Sequence, residues 1–153
     1  MRQILVALAA ILITSSAVLA VGRTADTSVG KVYVSDRGMT LYMLSKDPPN
    51  VSTCYGKCVQ IWPPYKPSAG AKLKRGWAII RRQDGSRMWA YKSHPLYTFF
   101  KDKRPGDAYG AGIRDHFGSW HAATVSGSHT YGPVVSYKPK LKAGGSYGSV
   151  RQY

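Results

Sequence analysis

Two cysteines, Cys54 and Cys58, lie four residues apart in the stretch STCYGKCVQIWPPY, and the chain of 153 residues has no others. Such a pair serves as a structural disulfide, as a redox-active pair or as part of a metal site. On an ideal helix the two Cβ atoms would be about 6 Å apart, whereas a disulfide needs about 3.5–4.5 Å. Gly56 between them allows the backbone to leave helical geometry and bring the sulfurs together.

We predict a structural disulfide between Cys54 and Cys58. Catalytic thiol exchangers favour Cys-x-x-Cys at the start of a helix in a βαβ unit, and neither feature is visible in this sequence. Redox chemistry and ligation of a metal or haem stay open as alternatives. A loop this small gains modest chain entropy, so its expected effect is to fix the chain just before Trp62.

The metal alternative draws on histidine and methionine side chains, because soft sulfur and imidazole suit copper or haem iron. Besides the cysteines, the candidate ligands are Met39, Met43, His94, His116 and His121. His116 and His121 would lie on opposite faces of a regular strand and converge only across a bend at Gly118. No Cys-x-x-Cys-His segment for covalent haem occurs. We predict no resident cofactor, with copper or haem as the alternative.

Hydrolytic chemistry has little basis in the sequence. All seven acidic residues are Asp, so no Glu is available for a mixed carboxylate pair. Asp36, Asp84 and Asp107 lie in Gly-containing turn segments, where Asp side chains bond to the backbone. No Gly-x-Ser-x-Gly nucleophile elbow is present. We therefore predict no catalytic residues.

The first 20 residues indicate the compartment. A short basic start precedes the apolar run of residues 4–12, and small residues end at Ala20, as in a cleaved secretory signal. The apolar segment, at most about 18 residues, is short for a membrane-spanning helix. We expect a secreted or periplasmic bacterial protein without a stable span after cleavage, in an oxidising compartment that favours cysteine pairing.

The remaining chain predicts a small, mainly β domain. After a lead-in at residues 21–30, short β-prone runs alternate with turn signals through residue 125. The segments HPLYTFF and SWHAATV are strand candidates, and Asp84-Gly85 predicts a hairpin with a tight primed turn. A short helical turn is expected only near the cysteines. Residues 126–153, rich in Gly, Ser, Tyr and Lys, are predicted to form a mobile basic tail.

An internal repeat divides this domain. One copy begins at Leu41 and the other at Leu96, and both read Leu-Tyr, three residues containing an apolar centre, Lys-Asp, a turn-rich loop and Trp. The two Trp residues are Trp62 and Trp120. We predict two related antiparallel β units, at about 31–65 and 77–125, that bury their faces against each other.

These segments resemble the secreted-repeat family of predicted bacterial lipoproteins, which carries a Tyr-x-(Phe/Trp/Tyr)-x-x-Asp motif. The second copy, residues 97–102, matches the motif fully, and the first, residues 42–47, has Leu44 at the aromatic position. Segments similar to the family's TCYGxC, WPP, R-x-DG, HPLY and PGD steps follow in order. The lipobox Cys of many members is missing, and the basic tail lies outside the pattern.

The resemblance implies an exported β domain and no established reaction. The positions that match family motifs are Tyr42, Asp47, Trp62, Pro63, Pro64, Asp84, Gly85, His94, Pro95, Leu96, Tyr97, Phe99, Asp102 and Trp120.

The charge balance predicts anionic partners. The chain has 22 Lys and Arg and a formal charge of +15, which attracts polyanions at long range. The candidate contact residues in the tail are Lys138, Lys140, Lys142 and Arg151. An anionic envelope surface or polymer is the expected partner, and interleaved Tyr and Lys also suit nucleic acid without sequence specificity.

The resulting hypothesis is an exported, non-catalytic binding or envelope-associated protein. The alternative is a periplasmic redox accessory protein that binds copper or haem or assists electron transfer. The sequence indicates no oligomeric state.

Overall fold

The computed structural model describes residues 21–125. The predicted signal peptide, the predicted tail and its four candidate cations lie outside the described residues. The elements in chain order are β1 (Arg23–Thr27), β2 (Gly30–Val34), β3 (Tyr42–Leu44), α1 (Lys57–Ile61), β4 (Trp77–Arg81), β5 (Arg87–Tyr91), β6 (His94–Pro95), β7 (Arg114–Asp115) and β8 (Gly118–Ala122). The mainly β prediction, with a short helix beside the cysteines, is confirmed. Within residues 21–125, no helix has the length and apolar character needed to span a membrane.

The strands form three small antiparallel sheets. Their orders are β1-β2, β3-β8-β7 and β4-β5-β6. Isolated bridges add pairings outside the ladders, and one of them pairs Tyr42 of β3 with Tyr97. The strand predicted at HPLYTFF is therefore shorter than expected, because only His94–Pro95 belongs to a ladder and Tyr97 makes separate bridges.

The N-terminal hairpin was not predicted. β1 falls within the segment interpreted as a lead-in, and it pairs with β2 along five residues. Its sequence, RTADT, has no buried residue and hence no alternating apolar signal. Backbone pairing with β2 therefore holds this strand in place. An ion pair of 3.9 Å between the side chains of Asp26 and Lys31 also connects the two strands.

The β4–β5 hairpin is confirmed, but the primed turn predicted at Asp84-Gly85 is wrong. Gly85 has a φ of 79°, whereas Asp84 is not among the residues with positive φ. The Gly85 N–H donates to the Arg82 carbonyl over 3.0 Å, and the Arg82 N–H donates to the Ser86 carbonyl over 2.8 Å. This is a three-residue loop with Gly in the left-handed position. The Asp84 side chain favours it by accepting the Ser86 N–H over 3.0 Å.

The primed turn lies instead between β5 and β6, where Lys92 and Ser93 have φ of 46° and 67°. Non-Gly residues are strained in this region. We expect Ser93→Gly to raise the free energy of unfolding by about 1 kcal/mol. Urea titration measures the change. Gln83→Gly, at a loop position without positive φ, is the control and should lower stability; a loss for Ser93→Gly as well would contradict the strain argument.

The core consists of two apolar clusters on opposite sides of β3. Tyr42 and Leu44 pack in the first cluster, whereas Leu41 and Met43 pack in the second. Because successive side chains of a strand point to opposite faces, the unbroken run LYML fills both clusters. The first cluster holds most of the family-motif aromatic residues.

Candidate functional site

The backbones of the two repeats pair antiparallel at their Leu-Tyr segments. Tyr42 N–H donates to the Tyr97 carbonyl over 2.8 Å, and Tyr97 N–H donates to the Tyr42 carbonyl over 2.9 Å. The same exchange recurs farther out, because Tyr65 N–H donates to the Leu96 carbonyl and Ala123 N–H donates to the Leu41 carbonyl, both over 2.8 Å. The two units are thus related by an approximate two-fold axis between the tyrosines.

The Tyr and Asp of the motif bond across the repeats. The Tyr42 hydroxyl donates to Asp102 Oδ2 over 2.6 Å, and the Tyr97 hydroxyl donates to Asp47 Oδ2 over 2.6 Å. Each repeat therefore supplies the hydroxyl for the other repeat's carboxylate. All four side chains are buried, so these charge-assisted hydrogen bonds fasten the units together away from water.

Each carboxylate also organises the loop that follows it. Asp47 Oδ1 accepts the Thr53 N–H over 2.8 Å and the Thr53 hydroxyl over 2.7 Å. Asp102 Oδ1 accepts the Tyr109 N–H over 3.0 Å. Burial raises the pKa of Asp102 to about 6, although hydrogen bonds from Tyr42 and Tyr109 act in the opposite direction. Burial next to these carboxylates also raises the pKa of both tyrosines.

The raised pKa of Asp102 predicts a pH dependence of stability. Between its ordinary value of 3.8 and about 6, the folded protein binds this proton more tightly than the unfolded chain does. Stability contributed by this group is therefore full at low pH and is lost as pH rises through that window. Asp84 and Asp107, whose pKa values are lowered by hydrogen bonds, act in the opposite sense.

The measurement is a comparison of urea midpoints between pH 4 and 7 for the natural protein and Asp102→Asn. We expect the difference between the two proteins to change across this range, with Asp102→Asn less penalised at the upper end. The exposed Asp26 provides the control variant Asp26→Asn. Parallel pH profiles for the natural protein and Asp102→Asn would contradict the assignment.

The repeat tryptophans form the centre of the first cluster. Trp62 and Trp120 stack with ring centroids 3.8 Å apart and planes inclined by 9°. Both indole N–H groups donate to Asp115 Oδ2 over 3.1 Å. Phe99 packs against Trp62 at 4.4 Å. Asp115 was not among the predicted site residues, and its only signal in the sequence is its position five residues before Trp120.

Arg82 links the hairpin loop to the cysteine loop. Its side chain is buried and donates from Nη1 to Ser52 Oγ over 2.6 Å and from Nη2 to the Cys54 carbonyl over 2.7 Å. The Ser52 hydroxyl in turn donates to the Tyr97 oxygen over 2.8 Å, because the single Tyr97 hydroxyl proton is donated to Asp47. A continuous polar network therefore runs from Arg82 to the Tyr97–Asp47 pair.

The predicted disulfide is confirmed. Cys54 and Cys58 are bonded and buried, with Cα atoms 5.3 Å apart. Gly56 has a φ of 56°, so the backbone leaves helical geometry between the cysteines as expected. α1 begins at the next residue, Lys57, and ends directly before Trp62. The disulfide thus fixes the chain where it enters the first apolar cluster.

The remaining motif residues lie around this centre. Leu96 belongs to the second cluster and Pro95 is buried in β6, whereas His94 is exposed at the end of the Lys92-Ser93 turn. Pro63 and Pro64 line a surface groove of about 670 Å³, together with Asp84.

The candidate metal ligands lie in several places, and one pair of them faces each other across two strands. Met39 lines the same groove as Pro63, and His116 packs against Phe117. Met43 and His121 lie opposite each other in the β3–β8 register. Both cysteine sulfurs are in the disulfide, and residues 21–125 contain no group of three or more His, Cys, Asp or Glu placed to share a metal ion.

Acidic and basic side chains differ in their hydrogen bonding and exposure in the described domain. Five carboxylates accept hydrogen bonds from their own chain, namely those of Asp47, Asp84, Asp102, Asp107 and Asp115. Every Lys and Arg in residues 21–125 is exposed except Arg82 and Lys101. The side-chain ion pairs found over this range are those of Lys31 with Asp26 and Arg82 with Asp84. The surface of the described domain is therefore strongly positive.

Fold and buried centre together define a class of protein: a small β domain of two interlocked repeats, closed by reciprocal Tyr–Asp bonds and a disulfide. A family model described as a secreted repeat of unknown function matches residues 23–66 and 78–124, more than half the chain. The chain belongs to this secreted-repeat family, which confirms the resemblance. No curated protein and no solved structure matches the chain.

Proposed function

We propose that this member of the secreted-repeat family is an exported, non-catalytic binding protein that docks on anionic surfaces or polymers of a bacterial envelope. The observation that supports the proposal best is the unequal use of the charged side chains. Five of the seven carboxylates accept hydrogen bonds from their own chain, and Asp47 and Asp102 are buried, whereas every Lys and Arg of residues 21–125 except Arg82 and Lys101 is exposed. A surface of this kind attracts polyanions, because two side-chain ion pairs are found among the many cations of residues 21–125.

The buried motif also supports a binding role over a catalytic one. Tyr42, Tyr97, Trp62 and Trp120 have no exposed surface, so their hydroxyl and indole groups are used to join the repeats. The groove beside Pro63 and Pro64 is lined by groups of both signs, including Asp36, Arg37 and Lys66. The groove offers a shaped and charged surface for a ligand.

Retention on anionic and neutral supports tests the proposal. Each cation near an anionic bilayer contributes about 1 kcal/mol, within a Debye length of about 10 Å at 0.1 M salt. We expect retention on phosphatidylglycerol vesicles or immobilised polyphosphate at low salt, falling steeply as salt rises, and little retention on phosphatidylcholine vesicles. Equal retention on the neutral vesicles, or none on either anionic support, would overturn the proposal.

The tail contributes to this affinity in our proposal. Residues 138–151 include four cations, and no acidic residue follows Asp115. Deleting residues 126–153 is expected to weaken retention at low salt by at most a few kcal/mol, from about 1 kcal/mol per cation. A full-length variant with Lys138, Lys140, Lys142 and Arg151 changed to Gln separates charge from length. Unchanged retention after deletion would exclude the tail as an attachment element.

A further inference from the structure

A second surface, formed by the β4–β5 hairpin and the loop at residues 66–76, combines basic and apolar side chains. Two adjoining grooves, of about 710 and 450 Å³, share Ala71, Gly85 and Arg87. Arg81 and Leu73 line the larger groove, and Lys66 lines the smaller one. We call this surface, defined by Lys66, Leu73, Arg81 and Arg87, the hairpin face.

The two arginines of the hairpin face repel each other. Arg81 and Arg87 are direct cross-strand partners in the β4–β5 register, and like charges in this position are destabilising. Neither forms an ion pair with a carboxylate of residues 21–125. The carboxylate of nearby Asp84 is directed to Ser86 and Arg82 instead. An external anion would relieve this repulsion.

The loop adds an apolar side chain surrounded by further cations. Leu73 is 69% exposed, more than any other large apolar residue in the described part of the chain. Lys72, Lys74 and Arg75 flank it, and all three are exposed. Exposed apolar side chains flanked by Lys and Arg are typical of segments that enter the headgroup region of a bilayer while their cations contact lipid phosphates.

We propose that the hairpin face docks on an anionic lipid surface, with Leu73 inserted between headgroups and Arg81 and Arg87 against the phosphates. This inference rests on the proposed function and specifies its partner. A soluble polyanion would satisfy the arginines equally well, but it offers no apolar environment for Leu73. An anionic lipid surface is the partner that matches both the arginines and Leu73 of the hairpin face.

Vesicles of equal parts phosphatidylglycerol and phosphatidylcholine, at low salt, test this docking with the purified secreted protein. Arg81→Gln with Arg87→Gln should weaken partitioning by about 30-fold, since each cation contributes about a factor of five. Leu73→Ser should weaken it by about tenfold through lost apolar burial. The matched controls are Lys103→Gln with Arg104→Gln for charge and Val51→Ser for an exposed apolar residue, and both should lose less.

Inorganic polyphosphate, as a soluble probe, separates the two proposals. Its binding should fall in the double arginine variant and stay unchanged in Leu73→Ser. Vesicle binding unchanged by Leu73→Ser would overturn docking on lipid, and equal losses in the control variants would overturn the hairpin face as the site. Failure of the natural protein to bind either probe would instead overturn the proposed function. All substituted side chains are exposed, and thermal unfolding verifies that each variant is folded.

Discussion

Replacing Arg82 by Met is expected to lower the free energy of unfolding by about 4 kcal/mol, because it removes charge-assisted hydrogen bonds and strands buried acceptors. The Ser52 hydroxyl and the Cys54 carbonyl would lose donors at 2.6 and 2.7 Å. The guanidinium also lies 4.4 Å from the centre of the Tyr55 ring. Its loss would therefore loosen the disulfide loop and the Tyr97–Asp47 pair together.

Arg81→Met is the matched control, since Arg81 precedes Arg82 in the chain and is exposed. Surface substitutions of this kind change stability by about 0.5 kcal/mol or less. Urea unfolding with both variants at the same pH measures the difference. Equal midpoints for the two variants would show that the buried network contributes nothing beyond surface charge. Since a small domain has a total stability of about 5–15 kcal/mol, we also expect Arg82→Met to be secreted in lower amount.

The burial of Arg82 is a feature that strand and turn patterns do not predict, although Arg82 is the Arg of the R-x-DG step in the family resemblance. In the doublet Arg81-Arg82 both residues look like surface cations at the end of a strand. Burial of the second depends on the Asp84-Gly85 loop turning it toward the cysteine loop, some 30 residues earlier in the chain. Local patterns report strand alternation and turn residues, but not which distant loop accepts a side chain.

The internal repeat also combines a feature that the sequence predicts with one that it does not. The repeat spacing predicted two related units with shared aromatic residues, and the structure contains these units and residues. Within each copy, however, Tyr and Asp are five residues apart and suggest a local pair. The observed bonds join Tyr42 to Asp102 and Tyr97 to Asp47. This exchange depends on the antiparallel contact between the two copies, which the sequence of a single copy does not contain.

The disulfide was predictable because its constraint is local. The separation of the cysteines, the intervening Gly56 and the predicted export to an oxidising compartment all favour closure of the loop. The type of turn at Asp84 was not predictable, since the Asp-Gly pair suits both a primed turn and a three-residue loop. Hydrogen bonds from Ser86 to the Asp84 side chain favour the longer loop.

Substitution of Gly110 by Ala is expected to cost about 3 kcal/mol, because the added methyl group would overpack the aromatic centre. A Cβ at this position would lie 2.8 Å from Tyr42 Cζ and 2.9 Å from Trp62 Cζ3. Neither ring can move freely. The Tyr42 hydroxyl is held by Asp102 and by the Gly110 N–H at 3.2 Å, and Trp62 is stacked on Trp120.

The control for this substitution is Gly106→Ala in the same loop. Gly106 has a φ of 92° and no atom within 4 Å of the added Cβ, so Ala there measures backbone strain of about 1 kcal/mol without any clash. Gly110 is not among the glycines with positive φ. The destabilisation expected for Gly110→Ala therefore comes from steric contact alone. Near-ultraviolet circular dichroism should report the disturbed Trp62–Trp120 stack only in Gly110→Ala. If Gly110→Ala unfolds at the same urea concentration as Gly106→Ala or above it, the aromatic centre can adjust, and the repeats are joined less rigidly than their reciprocal bonds indicate.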